Sequence, residues 1–298
     1  MVDYNEVKMF KIVLFLVLVL SSCDAFAQDS SVLIPAGAGQ VAQDDFQDLI
    51  WNRYTTDNFT ILSIDNKQGR WLHYNIENIK GWCLKRWGLP NIKFEKECRI
   101  MVVPNKELLK KLFNISESRC EARVVDGKLE IIALWLSLDS EEDLVDTVPY
   151  FVTICSMLEM DQKFNIKSNI SLTRGMAELN KSLTKIKNNI KIATNIDGKN
   201  IISSLGTDSI KYKKISSEDL KSFDSESLIV SLMLKKEFGE SRFLRFLFSN
   251  KSVDDSLGVI YNFKPEDFTK SYIRYCKDLS SEIKDDKVPS FYIQVEKR

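Results

Sequence analysis

Residues 144–158 read LVDTVPYFVTICSML, and residues 172–179 read LTRGMAEL. In the first stretch the apolar residues recur at intervals of three and four, which predicts an amphipathic helix. Ser140 precedes this stretch, and acidic residues come directly after Ser140, an order that is typical of a helix N-terminus. We therefore expect a long helix that opens at Ser140, with a kink or a later start at Pro149. The second stretch lies within another predicted helix, over residues 169–186.

The chain on either side of these helices carries different signals. Before residue 140, runs of β-formers predict strands at 59–64 and 98–103. Amphipathic spacing predicts helices at 66–87 and 105–113. The turn residues Asp126-Gly127 predict a hairpin that joins strands at 121–125 and 128–136. After residue 186 the same rules predict a β-hairpin over 190–213 around Asp197-Gly198, then helices at 225–238, 240–249, 253–260 and 265–283.

The order of these elements predicts an α+β fold. A mixed β-sheet with helices is expected in the N-terminal half and a helical lobe in the C-terminal half. We place one domain at residues 51–285, with its sheet half over 51–138 and its helical half over 139–285. Residues 286–298 are expected to form a C-terminal tail.

The N-terminus has the pattern of a signal peptide. Residues 9–20 read MFKIVLFLVLVL and follow Lys8, and this apolar run is shorter than the roughly 20 residues that span a bilayer. Cleavage after Ala27 would leave a signal peptide of 1–27 and a flexible leader of 28–50. Processing at Cys23, which ends a lipobox-like Leu-Ser-Ser-Cys, would instead leave a lipid-anchored chain. Both readings place the protein outside the cytoplasm, secreted or periplasmic, and in contact with the membrane only through the signal or the lipid.

Charge and cysteine usage narrow the classes of partner and site. Lys and Arg number 42, as do Asp and Glu, so no basic field predicts nucleic-acid binding. No cysteine pair has the C-x-x-C spacing of a zinc ribbon or a thioredoxin-like site. In an oxidising compartment we expect a disulfide between Cys98 and Cys120, while Cys155 is expected to be buried. His73, the single histidine, falls off the apolar stripe of its helix and is expected at the rim.

The two quoted stretches resemble the gluzincin zinc peptidases, specifically the secreted bacterial peptidase MA-like group. In that family one helix carries H-E-x-x-H, and a second helix carries a glutamate ligand in an E-G-x-A-E type motif. Residues 172–179 resemble the second motif, with Arg174 at the position of the ligand glutamate. Residues 150–154 then fall on H-E-x-x-H, because Tyr150 lies 24 positions before Arg174, the separation seen in the family.

The resemblance implies a fold but not the family's chemistry. Tyr150, Phe151 and Ile154 stand where the motif has histidine, glutamate and histidine, and these side chains are not useful zinc ligands. Arg174 is cationic at any working pH. We therefore expect no catalytic residue, no metal and no cofactor at this site. Glu178, one helical turn beyond Arg174, is the expected partner of its guanidinium.

These observations favour a non-catalytic, pseudopeptidase-like protein that binds an envelope protein or a polymer. The binding surface would be the former cleft or the three tryptophans Trp71, Trp82 and Trp87, which exceed what one helix stripe can bury. Two alternatives stay open. One is a structural envelope protein without a cleft function. The other is a hydrolase that pairs Glu178 with Glu159 or Asp161, since a glycosidase needs two acids at one cleft.

Overall fold

The computed structural model describes residues 50–95, 98–125, 128–138, 140–195, 198, 201–208 and 215–284. Its strands are β1 Asn52–Thr55, β2 Phe59–Ser63, β3 Cys98–Val103, β4 Arg119–Val125 and β5 Lys128–Ser137. Its α-helices are α1 Asn66–Lys85, α2 Lys106–Phe113, α3 Glu141–Phe164, α4 Ile170–Glu178, α5 Leu183–Thr194, α6 Ile201–Leu205, α7 Ser217–Phe238, α8 Glu240–Leu247, α9 Val253–Ser256 and α10 Pro265–Lys284. A π-helix, Leu257–Tyr261, follows α9.

The five strands form one mixed sheet in the order β1-β2-β3-β5-β4. β2, β3 and β5 run parallel, while β1 and β4 pair antiparallel at the two edges. β4 and β5 pair on either side of residues 126 and 127, which lie outside the described residues, so the predicted pairing of these strands is confirmed. With helices filling the second half, the expected α+β fold is confirmed.

Both faces of the sheet are covered, which explains why β3 reads as an apolar run rather than as an alternation. Cys98, Ile100 and Val102 face a core layer that α1 and α3 complete. Met101 and Val103 face the opposite side, where α2 packs. This layering holds α3 against the sheet and leaves its other side for the helical half.

The helical half is built around α7, whose residues 228–234 are all buried. Its apolar side chains pack with those of α4, α5, α8 and α10 in the larger of the hydrophobic clusters. Because a helix that is apolar all round must be enclosed, α7 forms the axis of this half. α4 lies between this axis and α3, which places residues 172–179 at the junction of the two halves.

The hairpin predicted over 190–213 is wrong. α5 and α6 occupy the described part of that range, and residues 209–214 lie outside it. The buried residues of α5 are Ile186, Ile190 and Ala193, which recur at the spacing of one helix face. This helical periodicity decides the structure here, rather than the turn residues Asp197-Gly198. Gly198 does adopt the positive φ, 69°, that a glycine turn predicts, but it connects two helices.

The helix predicted over 169–186 is two helices. α4 ends at Glu178 and α5 begins at Leu183, because side chains of α3 bind the polar groups of the linker. Asn180 Nδ2 donates to Thr153 Oγ1 at 2.8 Å, and the Ser182 amide donates to Asp146 Oδ1 at 2.6 Å. α3 itself begins at Glu141 and runs through Pro149, so the later start considered for it is wrong.

Several sequence predictions lie outside the described residues. These are the signal peptide, the leader up to residue 49, the lipidation site Cys23 and the tail at 286–298. Among the helices of the described ranges, none combines the length and apolar character needed to cross a bilayer.

Candidate functional site

The structure brings Tyr150 and Arg174 together. Tyr150 lies on α3 and Arg174 on α4, and the guanidinium carbon Cζ is 4.9 Å from the centroid of the Tyr150 ring. This is cation–π distance, and Tyr150 is a buried residue, 5 % exposed. The two positions that the resemblance aligned with metal ligands therefore meet across one helix interface.

Arg174 forms a bidentate ion pair with Asp224 of α7, whereas the sequence predicted Glu178 as its partner. The guanidinium charge also acts on the Glu178 carboxyl, whose pKa burial raises and this charge lowers. Arg174 Nε donates to Asp224 Oδ1 at 2.9 Å, and Nη2 donates to Oδ2 at 2.7 Å. This bidentate geometry matches the planar guanidinium fork, which a glutamate on the same helix is poorly placed to meet. The two side chains are only 15 % and 14 % exposed, so the ion pair is largely screened from water.

Glu178 is bound by other groups. Lys181 Nζ donates to Glu178 Oε1 at 2.6 Å, and Asn189 Nδ2 donates to Oε2 at 2.6 Å. Burial raises the pKa of the Glu178 carboxyl, and the Lys181 ammonium opposes that shift. Lys181 Nζ also lies 4.2 Å from the centroid of the Tyr150 ring. The ring is therefore contacted by two cations, each of which is paired with its own carboxylate.

Phe151 and Ile154 complete the set of positions aligned with H-E-x-x-H. The Phe151 ring packs edge-on against Tyr150, with centroids 5.0 Å apart, and extends toward the sheet core. Ile154 is half-buried one turn beyond Tyr150. In the chain segments that the structure covers, no three His, Cys, Asp or Glu side chains are grouped as a metal site would require. At these positions the side chains act as packing groups.

The three tryptophans of the predicted binding surface do not share one surface. Trp87 is buried and stacks on Phe243 with centroids 5.1 Å apart, because it lies past the last turn of α1 and inserts into the helical half. Trp71 is half-buried against the sheet core. Trp82 is 46 % exposed, with the Arg86 guanidinium 5.6 Å from its ring. Only Trp71 and Trp82 therefore remain candidates for the predicted binding surface.

Tyr74 belongs with the exposed aromatic residues and was missed. It is 73 % exposed and lies one turn from Trp71 on α1. The His73 ring lies beside it, at 5.1 Å between centroids, and 5.8 Å from the Tyr54 ring. His73 is half-buried, as the rim position predicted for it requires. The exposure of Tyr74 could have been predicted from the sequence, since residue 74 falls outside the apolar stripe of the helix.

The three acids of the alternative hydrolase have separate sets of partners. Asp161 accepts from the Ser168 amide at 3.0 Å and from Ser168 Oγ at 2.9 Å, and burial raises its pKa to about 6. Glu159 Oε1 accepts from the Glu95 amide. Glu159 lies about 13 Å along α3 from Tyr150, whereas Glu178 binds Lys181, which contacts the Tyr150 ring. The three acids therefore have none of these hydrogen-bond partners in common.

A cavity of about 470 Å³ has a lining that includes none of Tyr150, Arg174, Glu178 and Asp224. The segment before α4, the end of α6 and the loop before α9 line it, with polar groups that include Ser168, Asn169, Thr207, Lys251 and Ser252. Asn169 and Ser252 use their side-chain oxygens to cap α4 and α9. Two of the polar groups that line the cavity, Asn169 and Ser252, are therefore already hydrogen-bonded to helix ends.

The expected Cys98–Cys120 disulfide is not formed, and both residues are present as thiols. Cys98 lies on β3 and Cys120 on β4, and β5 runs between these strands. Two strand spacings amount to roughly 9–10 Å, which exceeds the Cα separation of about 7 Å that a disulfide tolerates. Cys155 is buried, as predicted.

Comparisons of the chain with protein-family models, with curated proteins and with solved structures found no match.

Proposed function

We propose that this protein is a secreted or envelope-anchored, non-catalytic domain with a gluzincin-like frame, which acts by binding a polymer or an envelope partner. The observation that carries the proposal is the Arg174–Asp224 ion pair packed on Tyr150. A gluzincin would need a carboxylate ligand and an imidazole at these two positions. A paired guanidinium and a phenol ring supply neither the imidazole nor the carboxylate ligand that this zinc site requires.

The binding surface that we favour is the outward face of α1, defined by Trp71, Tyr74, Asn78 and Trp82. Trp71 and Trp82 are eleven residues apart, which places them about 20° from each other around the helix and about 16 Å apart along it. Asn78 and Tyr74 between them are exposed. Aromatic side chains give an apolar face with a polar edge, and the intervening amide can donate and accept hydrogen bonds. This combination suits an extended sugar polymer.

The proposal predicts that Trp82→Ala weakens binding to an insoluble polymer. We expect the chain to cosediment with at least one of peptidoglycan, chitin and cellulose, and the Trp82→Ala variant to bind that polymer about tenfold more weakly. A loss of this size corresponds to roughly 1.4 kcal/mol of binding free energy. Sedimentation over a range of polymer concentrations gives the dissociation constant of each variant.

Phe164→Ala is the matched control, because Phe164 is a similarly exposed aromatic residue, at 50 %, on a different helix, α3. It should bind as the wild type does. Equal loss in both variants, an unchanged affinity in Trp82→Ala, or no binding to any of the three polymers would contradict the polymer proposal.

A structural envelope protein without a cleft function is the second candidate. The burial of Tyr150 between two ion pairs favours it, because the space between α3 and α4 is filled by side chains. The two candidates differ in the α1 face: a purely structural role leaves Trp82 replaceable without loss of any polymer affinity.

A further inference from the structure

We propose that the polymer bound at the outward face of α1 is acidic, a chain of sugars that carry carboxylates. The inference rests on the proposed function, since it names the class of ligand for that same surface. It is carried by the exposed charged side chains of α1, which are all positive: Lys67, Arg70 and Lys85.

Two lysines continue the line of the aromatic residues at its two ends. Lys67 and Lys85 are both exposed and lie 18 positions apart, which is five complete turns of an α-helix. They therefore point in the same direction, about 27 Å from each other along the helix axis. Trp71 follows Lys67 by one turn, and Trp82 precedes Lys85 by one turn. The aromatic residues thus lie between two ammonium groups on one face.

The acids of α1 and of its N-cap are bound to other groups. Glu77, the only acid of the helix, accepts from the Asn58 amide at 2.9 Å and from Asn58 Nδ2 at 2.6 Å. The N-cap residue Asp65 accepts from the Lys67 amide at 2.7 Å, which ties its carboxylate to the first turn. Because the whole chain has 42 basic and 42 acidic residues, the cations of this face are a local excess of positive charge. Such a face favours a ligand with negative charge.

An acidic sugar polymer fits this face better than an anionic membrane does. A helix that binds at a membrane interface buries an apolar face at the boundary of the acyl chains. The exposed residues of α1 include no aliphatic side chain; they are Asn66, Lys67, Arg70, Tyr74, Asn78, Trp82 and Lys85. Aromatic rings can instead pack on the apolar faces of sugar rings, while the lysines at the two ends bind carboxylates along the polymer.

The proposal predicts a preference for the charged form of one and the same polymer. Polygalacturonate carries a carboxylate on each sugar, and its methyl ester has the same backbone without the charge. We expect the wild type to bind polygalacturonate about fivefold more tightly than the methyl ester at low salt. Added salt should reduce this preference, because it screens exposed charges. Titrations followed by tryptophan fluorescence give the two dissociation constants.

The double variant Lys67→Gln with Lys85→Gln should lose the preference. Its affinity for polygalacturonate should fall about fivefold, to that for the methyl ester, and its affinity for the methyl ester should stay that of the wild type. Lys185→Gln with Lys191→Gln is the matched control, since it removes the same charge from exposed positions of another helix, α5. This control should bind both polymers as the wild type does.

Equal binding of the two polymers by the wild type, with Trp82→Ala weakening both, would overturn the acidic ligand and leave the proposed polymer binding intact. The acidic ligand would also be excluded if both double variants lost the same affinity. Binding to phosphatidylglycerol vesicles but not to polygalacturonate would replace the polymer with a membrane surface. If no sugar polymer binds, charged or neutral, the proposed function itself fails, and the acidic ligand with it.

Discussion

Asp224→Ala should lower the free energy of unfolding by about 3 kcal/mol. The change leaves the Arg174 guanidinium largely buried against Tyr150 without the carboxylate that receives two of its hydrogen bonds, at 2.9 and 2.7 Å. Removing one partner of a buried ion pair costs more than the net stabilisation that the intact pair provides, because the guanidinium loses its bidentate acceptor. Urea denaturation followed by circular dichroism measures the difference.

A second variant separates the loss of the pair from the loss of volume. Replacing both residues with apolar side chains, as Arg174→Met with Asp224→Leu, removes both charges and should recover most of the lost stability. If Asp224→Ala unfolds within about 0.5 kcal/mol of the wild type, or if the double variant is the less stable of the two, the ion pair does not hold this junction.

Gly175→Ala should destabilise the chain by about 3 kcal/mol or more, near or above the upper end of the range for overpacked cores. A Cβ at Gly175 would lie 2.0 Å from the Ser227 carbonyl oxygen and 2.3 Å from Ser231 Oγ. The first of these is backbone of α7, so relief requires that α4 and α7 move apart. The expected sign is diagnostic, because alanine in place of glycine inside a helix otherwise stabilises by about 1 kcal/mol.

Gly258→Ala is the control for this prediction. A Cβ at Gly258 would have its nearest neighbour, the Phe263 carbonyl oxygen, at 3.9 Å, which is ordinary contact. Thermal unfolding of the two variants should show a large loss for Gly175→Ala and none for Gly258→Ala. Equal stability of the two would mean that α4 and α7 are not in the close contact described above.

The sheet half was predictable because its signals are local. β3 begins and ends where the run of β-formers does, at Cys98 and Val103. The pairing of β4 with β5 follows from the turn residues between them. The edge strand β1 was missed, since its residues alternate between half-buried and exposed and include no apolar run.

The site was less predictable, because its contacts are distant in sequence. Asp224 lies 50 positions beyond Arg174, and no spacing rule on one helix identifies a partner on another. The local rule selected Glu178, which the linker residue Lys181 binds instead. In the same way, cysteine counting proposed Cys98 with Cys120, whereas strand order places β5 between them. Helix and strand periods predict local structure, and long-range packing decides the pairs.

The most direct test of the central claim is the metal content of the purified chain, measured by plasma mass spectrometry after zinc loading and desalting. We expect no stoichiometric zinc, because Tyr150, Phe151, Ile154 and the paired Arg174 give the metal no strong ligand. One tightly held zinc per chain, with peptide hydrolysis that a chelator abolishes, would contradict the account and show that this protein is a metallopeptidase.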